Sequence, residues 1–179
     1  TTGADGTATT EPLFLGKFEI REITAPYGML LNGDTVTVEL TYAGQEIKIT
    51  TTSAAFVNER QKVEIDLTKT LEQDEKYGIG RNNEITSVKF GLYASEDIAA
   101  ADGKVIPKDG LIEAVTCDEN GKAVFATDLP VGAMVYVKEI ATDNHYILSD
   151  STYPVTFDYA GQDTAVVKIS VNNGEAIEN

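Results

Sequence analysis

A lysine, a glutamate and an asparagine are the residues of this chain whose types and placement can do chemistry. In the run Lys62-Val63-Glu64-Ile65-Asp66-Leu67-Thr68-Lys69, Val63, Ile65 and Leu67 alternate with polar residues. That alternation reads as a half-buried β-strand. Residues two apart share a strand face, so Lys69 points with the apolar set into the core. An ammonium group facing a core is expensive unless it is paired or chemically consumed. Glu139 keeps phase with Val135 and Val137 in the run Met134 to Lys138, and Asn179 keeps phase with Ile177. Apolar surroundings lower a lysine pKa and raise that of a glutamic acid. A neutral amine is a nucleophile, and a protonated carboxyl can polarise an amide carbonyl and shuttle protons. Attack of Lys69 on the Asn179 carboxamide would expel ammonia and leave an isopeptide bond, with proximity in a folded core supplying much of the rate. Phase alone supports equally well a surface lysine, a surface glutamate and a frayed terminal asparagine.

Other chemistry has little to stand on. His145 is the one histidine and sits in the turn-like run Asp143-Asn144-His145-Tyr146, so a His-based metal cluster or triad has no members. Asp118-Glu119-Asn120 shares residue types with a calcium loop but lacks the spacing, and reads as a turn. Cys117 follows a strand with no base or second thiol in evidence, which makes it a small, partly buried side chain.

Composition narrows the classes further. The chain has 179 residues, 42% of them hydrophobic and 24% charged, and a formal net charge of −15. Fourteen basic residues scattered among twenty-nine acidic ones cannot neutralise a phosphate backbone, which argues against a nucleic-acid partner. Acidity of this degree serves solubility. One cysteine allows no intramolecular disulfide. No run approaches the roughly 20 apolar residues of a membrane span, so membrane contact by this segment is not expected, and no signal peptide is evident. The opening Thr1-Thr2-Gly3-Ala4-Asp5-Gly6 suggests a fragment of a longer protein. Nothing in the sequence calls for a cofactor or a metal.

The elements that must position the three residues are organised by an internal repeat. Tyr42-Ala43-Gly44-Gln45 recurs as Tyr159-Ala160-Gly161-Gln162, and Glu22-Ile23 as Glu139-Ile140, both 117 residues apart. Asp5-Gly6-Thr7-Ala8 matches Asn120-Gly121-Lys122-Ala123, and Leu15-Gly16 matches Val131-Gly132. Ala55-Phe56-Val57-Asn58 matches Ala176-Ile177-Glu178-Asn179 after a small insertion. Residues 60–179 therefore read as a complete domain, and 1–59 as the C-terminal half of a preceding one that lacks the counterpart of 60–115. That half should expose strand edges and pack on its neighbour, pair with another molecule or be partly disordered. Within the complete copy, strands are expected at 62–69, 88–93, 111–116, 123–125, 134–139, 155–159 and 165–171. Loops are expected at 72–84 and 95–109, the latter with a short helical turn at Glu96–Ala100. Asp118-Glu119-Asn120-Gly121 is a hairpin turn. Several short strands with frequent turns predict an all-β sandwich.

Gly16-Lys17-Phe18-Glu19-Ile20-Arg21 followed by Glu22-Ile23-Thr24-Ala25-Pro26-Tyr27-Gly28 resembles the E-box segment of Cna B-type domains, also called SpaA-like or prealbumin-like. The strand ending in Lys69, the segment Phe90-Gly91-Leu92-Tyr93 and the run Asp118 to Phe125 resemble the same family. It occurs as repeats in Gram-positive surface adhesins and pilins. The resemblance implies a Greek-key β-sandwich crosslinked by an autocatalytic Lys–Asn isopeptide bond. On it Lys69 is the nucleophile, Glu139 the proton shuttle and Asn179 the acceptor. In the first copy it implies Glu22 and Asn58, with the partner lysine before Thr1. Asn173, in phase with Ile169 and Val171, is an alternative acceptor. The second copy departs from the E-box ending, with Ala141-Thr142-Asp143-Asn144-His145-Tyr146 where the first has Ala25-Pro26-Tyr27-Gly28. The implied role is a stalk or spacer module, extracellular and wall-anchored, without turnover, whose partners are adjacent repeat domains. The competing reading is a sandwich that recognises host matrix protein or glycan through loops 72–84 and 94–110. A hydrolase or transferase is disfavoured by the single histidine.

Overall fold

A computed structural model describes residues 1–100 and 102–179. The chain forms two compact units, one of Thr1–Pro26 with Leu31–Glu59 and one of Tyr27–Leu30 with Arg60–Asn179. The first unit is built on a hairpin of β1 (Gly16–Arg21) and β2 (Thr35–Leu40). The core residues belong to the second unit, beginning at Val63.

In the second unit two sheets face each other. One has the order β10-β9-β4-β7, from β4 (Lys89–Ala94), β7 (Leu111–Thr116), β9 (Met134–Ala141) and β10 (Thr152–Thr156). The other is centred on β3 (Lys62–Thr70). One edge of β3 carries β8 (Lys122–Phe125) antiparallel. Its other edge carries β11 (Val166–Ser170) and then β12 (Ile177–Glu178), both parallel to it. An all-β sandwich follows from these pairings, since each sheet buries one face. Val63, Ile65 and Leu67 are 5%, 1% and 2% exposed, and burial of each such side chain stabilises by roughly 1.5–3 kcal/mol. Across from them lie Phe90, Leu92, Val135, Val137, Val155 and Phe157.

The repeat is visible in strand register. Lys17 pairs with Glu39 and Phe18 with Val38 in the first unit. Met134 pairs with Thr156 and Val135 with Val155 in the second. Each residue has moved by 117 positions, so the β9–β10 hairpin is the β1–β2 hairpin again.

Two expectations need correction. Glu96–Ala100 forms no helical turn. Instead β5 (Ile98–Ala99) pairs with β6 (Val105–Ile106), and Ile98 is buried against the core, which outweighs the helical propensity of its alanines. Ala101, in the same loop, lies outside the described residues. The strand expected at 155–159 runs instead over Thr152–Thr156. Pro154 lies within it, which an edge strand tolerates because one side needs no ladder donor.

The turn before β8 is fitted to β3. Gly121 has φ +75°, and its carbonyl accepts from the N–H of Lys69 at 2.7 Å. A Cβ on Gly121 would lie 2.0 Å from the Lys69 carbonyl oxygen. We expect Gly121→Ala to lower the unfolding free energy by roughly 2–4 kcal/mol, read as a reduced urea midpoint. An unchanged midpoint would contradict the fitted turn.

Candidate functional site

Lys69 is 1% exposed and Glu139 2% exposed. Each is the last buried position of its strand, Lys69 on β3 and Glu139 on β9. β12 delivers the third member: Ile177 pairs in register with Lys69 and Glu178 with Thr70. Asn179 is then anchored at both backbone groups, its N–H donating to Thr70 O at 3.3 Å and its carbonyl accepting from Glu72 N at 2.9 Å. Its side-chain Nδ2 donates to both Glu139 oxygens, at 3.0 Å and 3.1 Å. The structure thus brings Glu139 and Asn179 into direct contact, with Lys69 beside the strand that carries Asn179.

The lysine amine is held by backbone alone. Nζ donates to Thr70 O at 3.0 Å and to Ile177 O at 3.1 Å. A neutral amine has two N–H bonds and one lone pair. With both N–H bonds placed on carbonyls, the lone pair is the free direction. Burial pushes the Lys69 ammonium below its usual range, opposed electrostatically by Glu139 first and then by Cys117 and Glu178. The balance favours the neutral, nucleophilic form more than in water.

Glu139 has one further partner that sequence reasoning missed. Ser149 N donates to its Oε2 at 2.8 Å. In the first unit Asn32 N donates to Glu22 Oε2 at 2.7 Å, and Asn58 Nδ2 donates to the same oxygen at 2.6 Å. Asn32 and Ser149 are again 117 apart. The carboxyl, carboxamide and orienting amide therefore recur in both units. The signal was present in the offset, but a backbone amide leaves no residue type to search for.

The remaining candidates lie elsewhere. Asn173 is exposed on the turn Val171–Gly174, with φ 55°, between β11 and β12. His145 is exposed and its Nδ1 meets Asp143 Oδ1 at 2.6 Å. Asp118 Oδ1 accepts from Asn120 N and Lys122 N, both at 2.8 Å, as a turn-forming residue does. Cys117 is 3% exposed, and burial pushes its thiol up to about 11. Among the described residues no group of three or more His, Cys, Asp or Glu is placed to hold a metal ion. Among the described residues no helix is long and apolar enough to cross a membrane.

Comparison with known proteins gives the family of the fold. No curated protein matches the chain. Among solved structures, the TIE protein of Bacillus anthracis aligns over 95% of this chain and 27% of its own, at 22% identity and a TM-score of 0.60. It shows the same fold, and the chain spans about a quarter of its length. A C-terminal fragment of pilus adhesin SpaC from Lactobacillus rhamnosus GG aligns over 90% of this chain and 76% of its own, at 14% identity and a TM-score of 0.42. The major pilin SpaA of Corynebacterium diphtheriae aligns over 83% and 41%, at 17% identity and a TM-score of 0.35. A sequence profile of one family matches residues 1–55 and 73–175, which include Glu22 and Glu139 and leave out Lys69, Asn58 and Asn179. The chain belongs to that family, described as the SpaA prealbumin-like fold domain.

Proposed function

We propose that the chain is a structural module of a bacterial surface adhesin or pilus, and that its second unit closes itself with an isopeptide bond between Lys69 and Asn179. The observation that carries this is the contact of Asn179 Nδ2 with both Glu139 oxygens beside a buried lysine amine. The Lys69 lone pair attacks Cγ of Asn179. A proton passes from Nζ through the Glu139 carboxyl to Nδ2, which leaves as ammonia, and the Nζ–Cγ amide remains. Glu139 ends as it began, and there is no turnover. Asn179 is preferred over Asn173 as acceptor because its carboxamide already rests on Glu139. In the first unit Glu22 and Asn58 would act in the same way with a lysine supplied by another segment.

The proposed bond closes a loop of about 110 residues, from position 69 to position 179. By analogy with disulfide loop closure it removes unfolded-state entropy equivalent to about 4–5 kcal/mol. β3 and β12 are parallel neighbours, so the bond would carry load between them without unzipping the ladder. A crosslink of this kind is indifferent to redox conditions, which suits an extracellular, wall-anchored protein with one cysteine. Adjacent repeat domains are the partners this role requires.

A second reading, recognition of a host protein or glycan, is favoured by one surface feature. A groove of about 420 Å³ on the β10-β9-β4-β7 sheet is lined by Ser95, Asp109, Tyr136, Thr152 and Pro154. Tyr136 stacks on Tyr93 at 5.3 Å and donates to Asp109 Oδ1 at 3.0 Å. If the groove binds a glycan, an array screen returns ligands that Tyr136→Ala loses. An empty screen removes this reading.

For the structural reading, intact mass spectrometry should give a chain lighter than its sequence by one ammonia. Lys69→Ala should restore the sequence mass expected for that variant and reduce stability by about 4–5 kcal/mol. A wild-type chain at full mass would overturn the proposal.

A pH dependence follows once the amine is kept free. In Asn179→Ala, Lys69 titrates below its ordinary value near 10.4. The unfolded state then binds the extra proton between the two pKa values, so stability rises with pH through that window. Its thermal midpoint should climb towards pH 10 relative to a Lys69→Met, Asn179→Ala double variant. Parallel curves would contradict a lowered lysine.

A further inference from the structure

The segment Tyr27–Leu30 lies in the first half of the sequence, yet it belongs to the second unit. Met29 bridges Arg60 in antiparallel fashion. Gln61 N donates to Gly28 O at 3.0 Å, and the Tyr159 hydroxyl donates to Met29 O at 2.9 Å. The Tyr27 ring lies 4.9 Å from that of Tyr159. A Cβ at Gly28 would fall 3.8 Å from Val131 Cγ2. The loop that follows the Glu22 strand is therefore a strap, and the second unit supplies a saddle for it from Tyr159, Val131 and the start of β3.

The 117-residue offset states where the same parts lie in the other copy. Gly28, Met29, Leu30 and Leu31 correspond to His145, Tyr146, Ile147 and Leu148. Tyr159 corresponds to Tyr42, and Val131 to Phe14 at the same offset or to Leu15 with the one-residue slip of the Leu15-Gly16 match. Met29, Leu30 and Leu31 are half-buried, and so are Tyr159 and Val131. Of their counterparts Tyr146 is also half-buried, but the others are exposed: Ile147 90%, Leu148 48%, Tyr42 67% and Leu15 57%, with Phe14 beside the last at 92%. Large apolar side chains exposed together signal an interaction surface. Here they sit at the positions which, in the other copy, form a seated strap and its saddle. The two sets are complementary to each other and not each to itself, which is the mark of a heterologous, head-to-tail contact.

We propose that residues 144–148 are a strap for a further domain of this same repeat, and that Leu15, Phe14 and Tyr42 form the saddle that receives the strap of a preceding one. This rests on the reading of the chain as a module in a series of repeats. Each domain would pass the loop after its glutamate strand to its successor. The successor's tyrosine hydroxyl and its backbone N–H at the start of β3 would take the strap carbonyls. The second strap differs in two respects. His145 stands where Gly28 has φ +82°, and Tyr146 turns back on its own unit, its hydroxyl donating to Glu72 O at 2.7 Å. Ile147 and Leu148 are left as the apolar contacts, so seating depends on them more than on Tyr146.

Hydroxyl-radical footprinting reads the exposure of these side chains directly. In the 179-residue protein, Val131→Ser with Tyr159→Ala should make Met29 oxidise several-fold faster, and an unchanged Met29 rate would overturn the saddle assignment. In a chain extended after Asn179 by a second copy of residues 59–179, oxidation of the inner Ile147 and Leu148 should fall several-fold, while Phe14 stays as reactive as before. The same two substitutions in the appended copy should return Ile147 and Leu148 to their original rates. Unchanged oxidation of Ile147 on extension, or protection that survives the substitutions, would overturn the proposal. The crosslink is reported separately by the mass lost as ammonia, so failure of strap seating and failure of bond formation are distinguishable.

Discussion

A lysine amine sealed in an apolar sandwich is the constraint on which the second unit depends. Its charge is disfavoured by burial, and its two N–H bonds are accounted for by the carbonyls of Thr70 and Ile177. One of those carbonyls belongs to the last strand of the chain, so the amine can be satisfied only when β12 has docked beside β3. The same docking brings the Asn179 carboxamide onto Glu139. A single event, closure of the final strand, thus satisfies the buried amine and assembles the proposed reacting groups. In an unfolded chain the three residues are separated by 70 and 40 positions and have no reason to meet.

The topology explains why this place in the fold suits a clasp. β3 is the middle strand of its sheet, gripped by β8 on one edge and by β11 and β12 on the other. Parallel neighbours at the start and end of a domain are loaded in shear when the termini are pulled, so all their hydrogen bonds share the force. A covalent link at that point converts a cooperative ladder into a fixed one. The Gly121 turn against the Lys69 carbonyl and the Ser149 amide on Glu139 are the fittings that hold the two strand ends in place. The amide contact recurs in the first unit, as Asn32 on Glu22, so that part of the arrangement belongs to the repeat and not to one local accident.

Much of the site was legible in the sequence because strand phase is a strong signal. Lys69 and Glu139 share faces with runs of valine, isoleucine and leucine, so period-two alternation pointed both side chains inward, although phase alone left a surface lysine and a surface glutamate equally open. Asn179 was legible through its likeness to Asn58. What phase could not show was what surrounds the lysine, because carbonyl oxygens and amide hydrogens carry no residue identity. It also misplaced the fragment around Ile98, where burial of one isoleucine against the core decided the structure and alanines suggested a helix. The strap at Tyr27–Leu30 was invisible for another reason. The repeat offset located the segment, but only the pairing of Met29 with Arg60 reveals that it belongs to the unit that follows.

The most direct test of the clasp is peptide mapping of the protein by tandem mass spectrometry after proteolysis. The account expects a branched peptide whose fragments join the segment containing Lys69 to the segment containing Asn179, with one ammonia missing at the junction and the branch lost in Glu139→Ala. Recovery of the two segments only as separate linear peptides, each at its full mass, would contradict it.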